Sequence, residues 1–511
     1  MSVRVSLWLS MGRWVLAATI LASSMAFIDG TVVNVALPFL QTNLHATAIG
    51  IQWVVEAYSL FLSALLLVGG SLGDHYGRRK IFNIGVVVFA IASAACGFAQ
   101  NIDQLIAARA VQGIGGALLV PGSLALISSS FNEKERGRAI GTWSGFSAIT
   151  TAIGPVLGGW LVEHVSWRAV FFLNLPLALA VLVISVWHVP ESREEDQPGA
   201  LDWIGAALAT VGLAGVVFGL IESPRLGFSH WLVRLALIGG VVCLGVFVWH
   251  EARAKNPMVP LGLFRSKDFA GANLLTLLLY AALGAFMFFF ALNLIQVQGY
   301  SATAAGAALL PFIVIMFSLS RWSGGLIDRF GPRLPLTIGP AITAVGFWLF
   351  ARQTITASYW SSFFPAVVVL GFGMSITVAP LTTTVMGSVS QDQAGTASGI
   401  NNAVSRTAGL LAIAVLGVVM LQVFSMNLEF RLSQYGLDDS FKQSILDQRV
   451  KLAGLEVPNN PDSTLVKEVV AGAFVAGFRF IMMICTVLAL ASAACAWVLI
   501  GRSRPVHTRK Q

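Results

Sequence analysis

Charged side chains are scarce in this chain. Asp, Glu, Lys and Arg together make up 11% of the 511 residues, whereas hydrophobic residues make up 56%. The mean hydropathy is +0.78. So little polar surface cannot cover a water-soluble globule of this size, and we therefore expect lipid to be the main solvent of the fold.

Several signatures of chemistry are also absent. The sequence has no His-Glu-x-x-His motif, no Ser/His/Asp set, no haem-type histidine pair and no nucleotide-binding loop. We therefore expect no enzyme activity, no metal, no cofactor and no use of ATP. Only four cysteines occur, all inside apolar runs and without Cys-x-x-Cys spacing, so we expect small core residues and neither disulfides nor metal ligands. These are Cys96, Cys243, Cys485 and Cys495.

Long apolar runs dominate what is present. About fourteen stretches of roughly 20 residues are each long enough to cross roughly 30 Å of hydrocarbon. They predict an all-α membrane protein with fourteen spans. The predicted spans are 14–38, 52–73, 81–100, 103–128, 138–162, 168–188, 200–221, 230–250, 268–295, 303–326, 334–352, 359–386, 395–423 and 470–499.

The chain has a net charge of +8, and its basic residues are concentrated in the loops between the apolar runs. Basic residues cluster on alternate loops and at the C-terminus, while the intervening loops 39–51, 100–103 and 296–303 contain no Lys or Arg. This pattern predicts that both termini are cytoplasmic and that the number of spans is even. The positive charge therefore indicates membrane topology, and we expect no nucleic-acid partner.

A ten-residue segment occurs twice, at 70–79 and at 324–333, each time between two apolar runs. The repeat indicates an internal duplication, as in secondary transporters built from two similar bundles. It predicts an N-terminal six-helix bundle over 1–190 and a C-terminal one over 268–511. Residues 191–267 hold an inserted helix pair with charged linkers. The external segment 424–469, with short amphipathic helices, is either a lid or a passive cap.

The repeated segment resembles motif A of the major facilitator superfamily, G-x-L-x-D-R-x-G-R-R, with His75 and Pro332 as departures. Residues 105–116 resemble motif B, and Gly154–Gly159 resembles motif C, the antiporter signature. The stretches 29–38 and 53–58 are similar to the fourteen-helix drug/proton antiporter family. The inserted helix pair and the long loop before the last helix fit that family as well.

The resemblance implies the major facilitator fold, with two six-helix bundles and an inserted hairpin. It implies proton-coupled efflux of lipophilic, cationic drugs or toxic compounds across the cytoplasmic membrane by alternating access. The alternative is a dedicated exporter of one metabolite, peptide, siderophore or lipid. The expected partners are these small molecules, protons and the bilayer. The proton gradient supplies the energy, and we expect a monomer.

Asp29, Glu56 and Arg109 are ionisable residues within predicted spans, where each costs several kcal/mol unless it faces a cavity or a partner. Asp29 and Glu56 are candidate proton carriers, and the family implicates an arginine at the position of Arg109 in proton coupling. The alternatives are a structural hydrogen-bond acceptor for Asp29, a solvated mouth residue for Glu56, and a structural partner of helix 1 or a backbone carbonyl for Arg109.

The repeated turn is a candidate conformational latch, in which Asp74 accepts hydrogen bonds from a neighbouring helix N-terminus. Its alternative is a solvated basic turn. The latch residues are Gly70, Asp74, Gly77, Arg78, Arg79, Asp328, Gly331 and Arg333.

The antiporter motif of Gly154, Pro155, Gly158 and Gly159 allows close helix packing and a bend, which would seal the outer side; its alternative is generic small-residue packing. Aromatic and polar residues are candidates for lining a substrate cavity, although snorkelling or helix packing explains Arg406 equally well. The candidates are Asn34, Tyr58, Gln112, Tyr280, Phe286, Phe289, Asn293, Gln296 and Arg406.

Overall fold

The computed structural model describes residues 10–131, 133–192, 202–355, 358–390, 393–458 and 461–501. These residues form helices and connecting turns, without a β-strand among them. Thirteen helical stretches of the described residues, some of them made of two consecutive helices, are long and apolar enough to cross a membrane. A further helix of 32 residues, Glu133–His164, stands where the fifth span was predicted. The predicted all-α membrane fold is confirmed.

The chain divides into two compact units, of which unit 1 comprises residues 1–259 and 301–307. The inserted helix pair, Trp203–Leu226 and Trp231–Glu251, belongs to this unit, and its first helix packs against the helix Ala48–Tyr76. The helices of unit 1 are α1 Ser10–Asn43, α2 Ala48–Tyr76, α3 Arg78–Phe98, α4 Ile102–Ser130, α5 Glu133–His164, α6 Ala169–Phe172, α7 Asn174–His188, α8 Trp203–Leu226, α9 Trp231–Glu251 and α11 Ala302–Ala307.

Unit 2 comprises residues 260–300 and 308–511. Within it, α10 packs against α16 and α18, and α14 packs against α15 and α18. Its helices are α10 Lys267–Leu292, α12 Leu310–Gly324, α13 Leu326–Phe330, α14 Arg333–Phe350, α15 Phe364–Gly387, α16 Ala394–Ser433, α17 Asp439–Leu446 and α18 Ser463–Leu499. The linker residues 193–201 and the terminal stretches 1–9 and 502–511 lie outside the described residues.

Side-chain caps fix where several of the long helices begin. Thr47 accepts from the backbone N–H of Gly50 at the start of α2, and Asn101 accepts from Gln104 at the start of α4. Asp202 caps α8 in the same way. Each cap satisfies a backbone donor that has no partner inside its own helix.

Both copies of the repeated turn place a glycine in the left-handed region of backbone space. Gly77 lies between α2 and α3 with φ 109°, and Gly331 lies between α13 and α14 with φ 73°. Residues with a Cβ rarely adopt these angles, which explains why both copies carry glycine at this position. The two turns therefore share a backbone geometry as well as a sequence.

Helix bounds around the external segment differ from the prediction of 424–469. Helix α16 continues to Ser433, because Phe424, Leu428 and Leu432 form a buried stripe at a spacing of four residues. Helix α18 already begins at Ser463. The segment between them is therefore shorter than predicted. It contains the short amphipathic helix α17, as expected.

The predicted span 303–326 is not one continuous helix. Helix α11 ends at Ala307, and α12 starts at Leu310 with Pro311 in its first turn. Proline fits the first turn of a helix because it has no N–H to leave unpaired, but it cannot continue a preceding helix without losing a hydrogen bond. The apolar run concealed this interruption.

Candidate functional site

A buried ion pair links α1 and α4 in unit 1. Asp29 and Arg109 are each 1% exposed, and Arg109 Nη1 lies 2.5 Å from Asp29 Oδ2. Gln112 donates from Nε2 to Asp29 Oδ1 at 2.8 Å and accepts from Arg109 Nη1 at 2.8 Å. Each of the three side chains therefore bonds both others. We call Asp29, Arg109 and Gln112 the buried triad.

Neighbouring helices supply further partners to the triad. Arg109 Nε donates to the carbonyl oxygen of Val54 in α2 at 3.1 Å, and its guanidinium lies over the Tyr58 ring, 4.3 Å from the centroid. Asn174 of α7 places its amide nitrogen 3.5 Å from Asp29 Oδ1 and donates to Ser93 of α3 at 3.0 Å. Five helices of unit 1 thus meet around one carboxylate.

The resemblance to motif B has a packing explanation. A Cβ on Gly113 would collide with the carbonyl oxygen of Tyr58, and a Cβ on Gly116 would lie 3.2 Å from a methyl carbon of Leu62. The missing side chains let α4 approach α2 closely enough for Arg109 to reach the backbone of α2. The glycines after Arg109 therefore position the guanidinium.

The triad is electrically balanced only while Asp29 is ionised. A proton on Asp29 would cancel the negative charge and leave Arg109 with neutral partners only, Gln112 Oε1 and the Val54 carbonyl. An unbalanced buried charge is costly, typically several kcal/mol. Binding of one proton would therefore change the energy of the contact between α1 and α4. These contacts are also compatible with the structural alternatives for Arg109, because the guanidinium bonds Asp29 of α1 and the backbone carbonyl of Val54.

Glu56 stands apart from the triad. Its side chain is fully buried, and neither carboxyl oxygen has a hydrogen-bond partner in the described part of the chain. Val54 and Tyr58 face Arg109, whereas Glu56 is two residues from each and so lies roughly 200° around α2. This placement differs from the sequence-based alternative for Glu56, a solvated mouth residue.

The first repeated turn contains an ion pair and a helix cap. Asp74 Oδ1 accepts from Arg78 Nε and Nη2, both at 2.7 Å. Glu191, after α7, accepts the backbone N–H groups of Arg79 and Lys80 at 3.0 and 3.1 Å. The sequence had assigned the helix N-terminus to Asp74. At the N-terminus of α3 the carboxylate that accepts the backbone N–H groups is Glu191, and Asp74 pairs with the Arg78 guanidinium.

The second repeated turn lacks the ion pair of the first. Pro332 stands where the first copy has Arg78, so Asp328 has no arginine four residues later, and its side chain is exposed. Arg333 instead lies over the Trp497 ring of α18, 4.1 Å from the centroid. The two copies therefore share a backbone turn, but the aspartate–arginine pair four residues apart exists only in the first.

The motif in α5 packs against α1 on one side. A Cβ on Gly158 would lie 3.0 Å or less from the side chain of Val32, and one on Gly154 would meet the hydroxyl of Thr31. Any side chain at these positions would push α5 away from α1, the helix that carries Asp29. Gly154 and Gly158 thus let α5 pack closely against α1 and help to fix the position of Asp29.

Another part of the same motif packs against α11. A Cβ on Gly159 would overlap the carbonyl group of Ala302, and a Cβ on Gly306 would overlap that of Pro155. Backbone therefore faces backbone on both sides of this seam. Gly70 lies elsewhere, in the repeated turn, where a Cβ would stand 3.6 Å from Pro121.

Two predicted cavity residues of unit 2 belong to an aromatic core instead. The ring of Phe286 lies 4.9 Å from that of Phe290, 5.7 Å from Phe347 and 4.7 Å from Phe350. Phe289 is 1% exposed. Aromatic side chains at this spacing stabilise a core through ring contacts. Phe286 and Phe289 therefore do not lie open to a ligand, which corrects the prediction.

The remaining cavity candidates are distributed between the two units. Asn34 is half-buried in α1, and its amide donates to the carbonyl oxygen of Gly30. Asn293 is fully buried, and its side-chain atoms have no partner among the described residues. Tyr280, Gln296 and Arg406 are half-buried in unit 2.

Sequence reasoning missed several contributors to the site. Asn174 and Ser93 are polar residues within apolar runs, and that signal could have marked them as candidates. Gln112 was expected to line a cavity, but it bonds to Asp29 and Arg109. Glu191 appeared as one charge in a linker, and nothing in the sequence relates it to the turn at 77–80.

These features together define a multi-pass membrane protein of the transporter class. A model of the Major Facilitator Superfamily matches residues 19–413. The chain belongs to this superfamily, and the membership expected from its motifs is confirmed.

Curated relatives match most of the chain. Multidrug resistance protein Stp of Mycobacterium tuberculosis is 36% identical over 420 residues, which cover 81% of this chain and 77% of the relative. The tetracenomycin C resistance and export protein of Streptomyces glaucescens is 35% identical, covering 79% and 75%. A solved bacterial homologue of the human lysosomal transporter Spinster, in an inward-facing and occupied conformation, has a TM-score of 0.65 at 15% identity, covering 96% of both chains. This structural likeness establishes the fold alone.

Proposed function

We propose that this protein exports lipophilic drugs or antibiotics across the cytoplasmic membrane in exchange for protons. The support for export comes from relatives named for drug resistance or antibiotic export, each matched over about four fifths of this chain. Efflux pump LfrA of Mycolicibacterium smegmatis is a further example, at 33% identity. We also propose the topology that the loop charges favour, with both termini cytoplasmic, and a monomeric protein.

The single observation that supports proton coupling is the buried triad. Asp29 lies on α1, while Arg109 and Gln112 lie on α4. Protonation of Asp29 weakens the attraction between the two helices, and loss of the proton restores it. A proton that binds from one side of the membrane and leaves on the other would thereby alternate the contact between α1 and α4.

Glu56 supports a preference for cationic cargo. A buried carboxyl group without a hydrogen-bond partner is unstable as an anion, so we assign it a proton in the structure described here. After release of that proton, the carboxylate would attract a cation. Glu56→Gln keeps the shape of the protonated group but cannot become an anion. We expect this variant to lose transport of lipophilic cations while transport of neutral compounds persists.

The experiment uses everted vesicles with an imposed pH gradient and a panel of fluorescent cationic and neutral compounds. Proton release from the purified protein on addition of drug is the second measurement. Asp29→Asn should abolish both. Glu222→Gln is the matched control, because Glu222 is also a buried carboxylate but bonds Trp53 and Arg225 at the end of α8. Undiminished drug-induced proton release in Asp29→Asn would overturn the coupling role.

A dedicated exporter is the second candidate, and the names of several relatives favour it. Besides tetracenomycin C, individual antibiotics appear in the names of an actinorhodin transporter, a methylenomycin A resistance protein and a cephamycin export protein. These relatives are 32 to 34% identical to this chain. If no compound of the panel moves but one secreted metabolite does, the dedicated exporter replaces the multidrug pump.

A further inference from the structure

A second group of titratable residues lies at the base of the α8–α9 hairpin, apart from the buried triad. Asp202 caps α8, and its Oδ1 accepts from the backbone N–H of Gly205 at 2.8 Å. The same oxygen lies 2.8 Å from Nε2 of His250, near the end of α9. One carboxylate oxygen thus joins the two helices of the inserted hairpin.

Glu251 holds the chain segment that leaves the hairpin. Its Oε2 accepts from the backbone N–H of Val259 at 2.8 Å. Val259 is the last residue of unit 1 before the chain enters unit 2. Glu251 therefore fastens the far end of the segment 252–259 to the end of α9.

The other two carboxyl oxygens face each other. Asp202 Oδ2 and Glu251 Oε1 are both buried without a hydrogen-bond partner among the described residues. A Cβ on Gly205 would lie 2.6 Å from each of them. The missing side chain at Gly205 therefore leaves room for the two carboxyl groups to meet. Glu251 is 3% exposed, so water does not separate the charges freely.

Only one of these carboxyl groups has the partners of an anion. Burial opposes ionisation of Asp202, but the hydrogen bonds from Gly205 and His250 outweigh it and hold the pKa of Asp202 below its ordinary value. If Glu251 were ionised as well, its carboxylate and that of Asp202 would place two negative charges in one buried site. A proton on Glu251 removes the repulsion and supplies the missing donor to Asp202 Oδ2.

We propose that Asp202 and Glu251 share one proton, and that this proton site is a clip that holds the segment 252–259 to the hairpin. Among the charged groups nearby, His250 bonds Asp202, and Arg253 is exposed with its guanidinium over the Trp249 ring. Lys255 is exposed. The clip is closed while the proton is bound. As the pH rises and the proton leaves, the two carboxylates repel and the Val259 amide loses its fixed acceptor.

Hydrogen exchange of the full-length protein in detergent micelles tests the clip. In the wild type we expect protection of the Val259 amide, corrected for intrinsic exchange, to fall by about tenfold per pH unit over the range in which the closed clip holds the shared proton and opening releases it, and to level off above that range. Glu251→Gln should keep full protection at every pH. Its amide can donate to Asp202 Oδ2 and still accept from Val259, as the protonated acid does.

Two further variants keep the test decisive. Asp202→Asn retains a good helix cap and can donate to the Glu251 carboxylate, so it should also remove the pH dependence. Glu222→Gln, at the other end of α8, should leave the wild-type profile unchanged. The infrared band of protonated carboxylic acids should lose intensity in Glu251→Gln relative to the wild type, while the contribution of protonated Glu56 remains in both proteins. Equal exchange profiles in the wild type and Glu251→Gln, or no change in that band, would overturn the proposal.

Discussion

Moving the carboxylate of the buried triad from α1 to α4 separates its structural role from proton coupling. Asp29→Asn leaves Arg109 buried without an anion, and removal of one member of a buried ion pair costs about 3–5 kcal/mol. Gln112→Glu restores an anion at the position that already accepts from Arg109 Nη1 at 2.8 Å. In the double variant the amide at position 29 can donate to the new carboxylate, so every bond of the triad is retained.

The wild type, Asp29→Asn, Gln112→Glu and the double variant form a double-mutant cycle. Their stabilities are measured by thermal and chemical unfolding in detergent micelles. We expect Asp29→Asn to be strongly destabilised and the double variant to recover most of the loss. A coupling energy of about 3 kcal/mol would be at the upper end of values for residues in contact. Additive effects of the two substitutions would refute the pairing derived from the geometry.

Transport should not recover with stability. In the double variant the carboxylate lies three residues from Arg109 on the same helix, so its protonation no longer breaks an ion pair between α1 and α4 and affects their contact only through the hydrogen bond from the amide at position 29. We expect a stable protein with no drug-induced proton release. If the double variant transports as well as the wild type, the carboxylate need not be on α1, and the coupling argument fails.

Two further outcomes follow from the turn and the α5 seam. Glu191→Gln removes the charge from the α3 N-terminus, and we expect a loss of about 1 kcal/mol in unfolding free energy; an unchanged stability would contradict the capping role. Gly159→Leu should abolish transport of the membrane-inserted protein, because the side chain would meet the Ala302 carbonyl. Gly141→Leu in the same helix is the control, since no atom of the described residues lies within 4 Å of its Cβ. Equal activity of the two variants would show that transport does not depend on the close packing of α5 against α11.

Much of the fold could be predicted because membrane spans depend on one dominant property. Twenty apolar residues must be helical in lipid, where no water satisfies backbone groups, so hydropathy gives the number and order of the spans. Helix ends were less predictable. The stripe of Phe424, Leu428 and Leu432 continues α16 beyond the predicted end, and only the fold reveals that other residues cover it.

The candidate site was predictable for single residues and less so for their partners. Asp29 and Arg109 are conspicuous because each is a charge within an apolar run. Which side chains they bond depends on the rotation of α1, α2 and α4, which span hydropathy does not specify. Because hydropathy does not specify helix rotation, the position of Glu56 relative to the triad could not be predicted either. Its rotation by roughly 200° from the face that carries Tyr58 places it away from the triad.

The buried polar contacts of the two units differ in chemistry. Unit 1 has the ion pair of Asp29 and Arg109, whereas the contact of the Asn401 amide with Asn273 and Thr276 in unit 2 joins neutral groups. Amide and hydroxyl groups do not gain or lose protons in the ordinary pH range, so their hydrogen bonds are insensitive to pH. The two repeated turns differ in a similar way, because Arg78 pairs with Asp74 in the first turn, whereas Pro332 has no charge to pair with Asp328 in the second. The duplication therefore supplied two similar backbones, and the pH-dependent contacts that we propose all lie in the first.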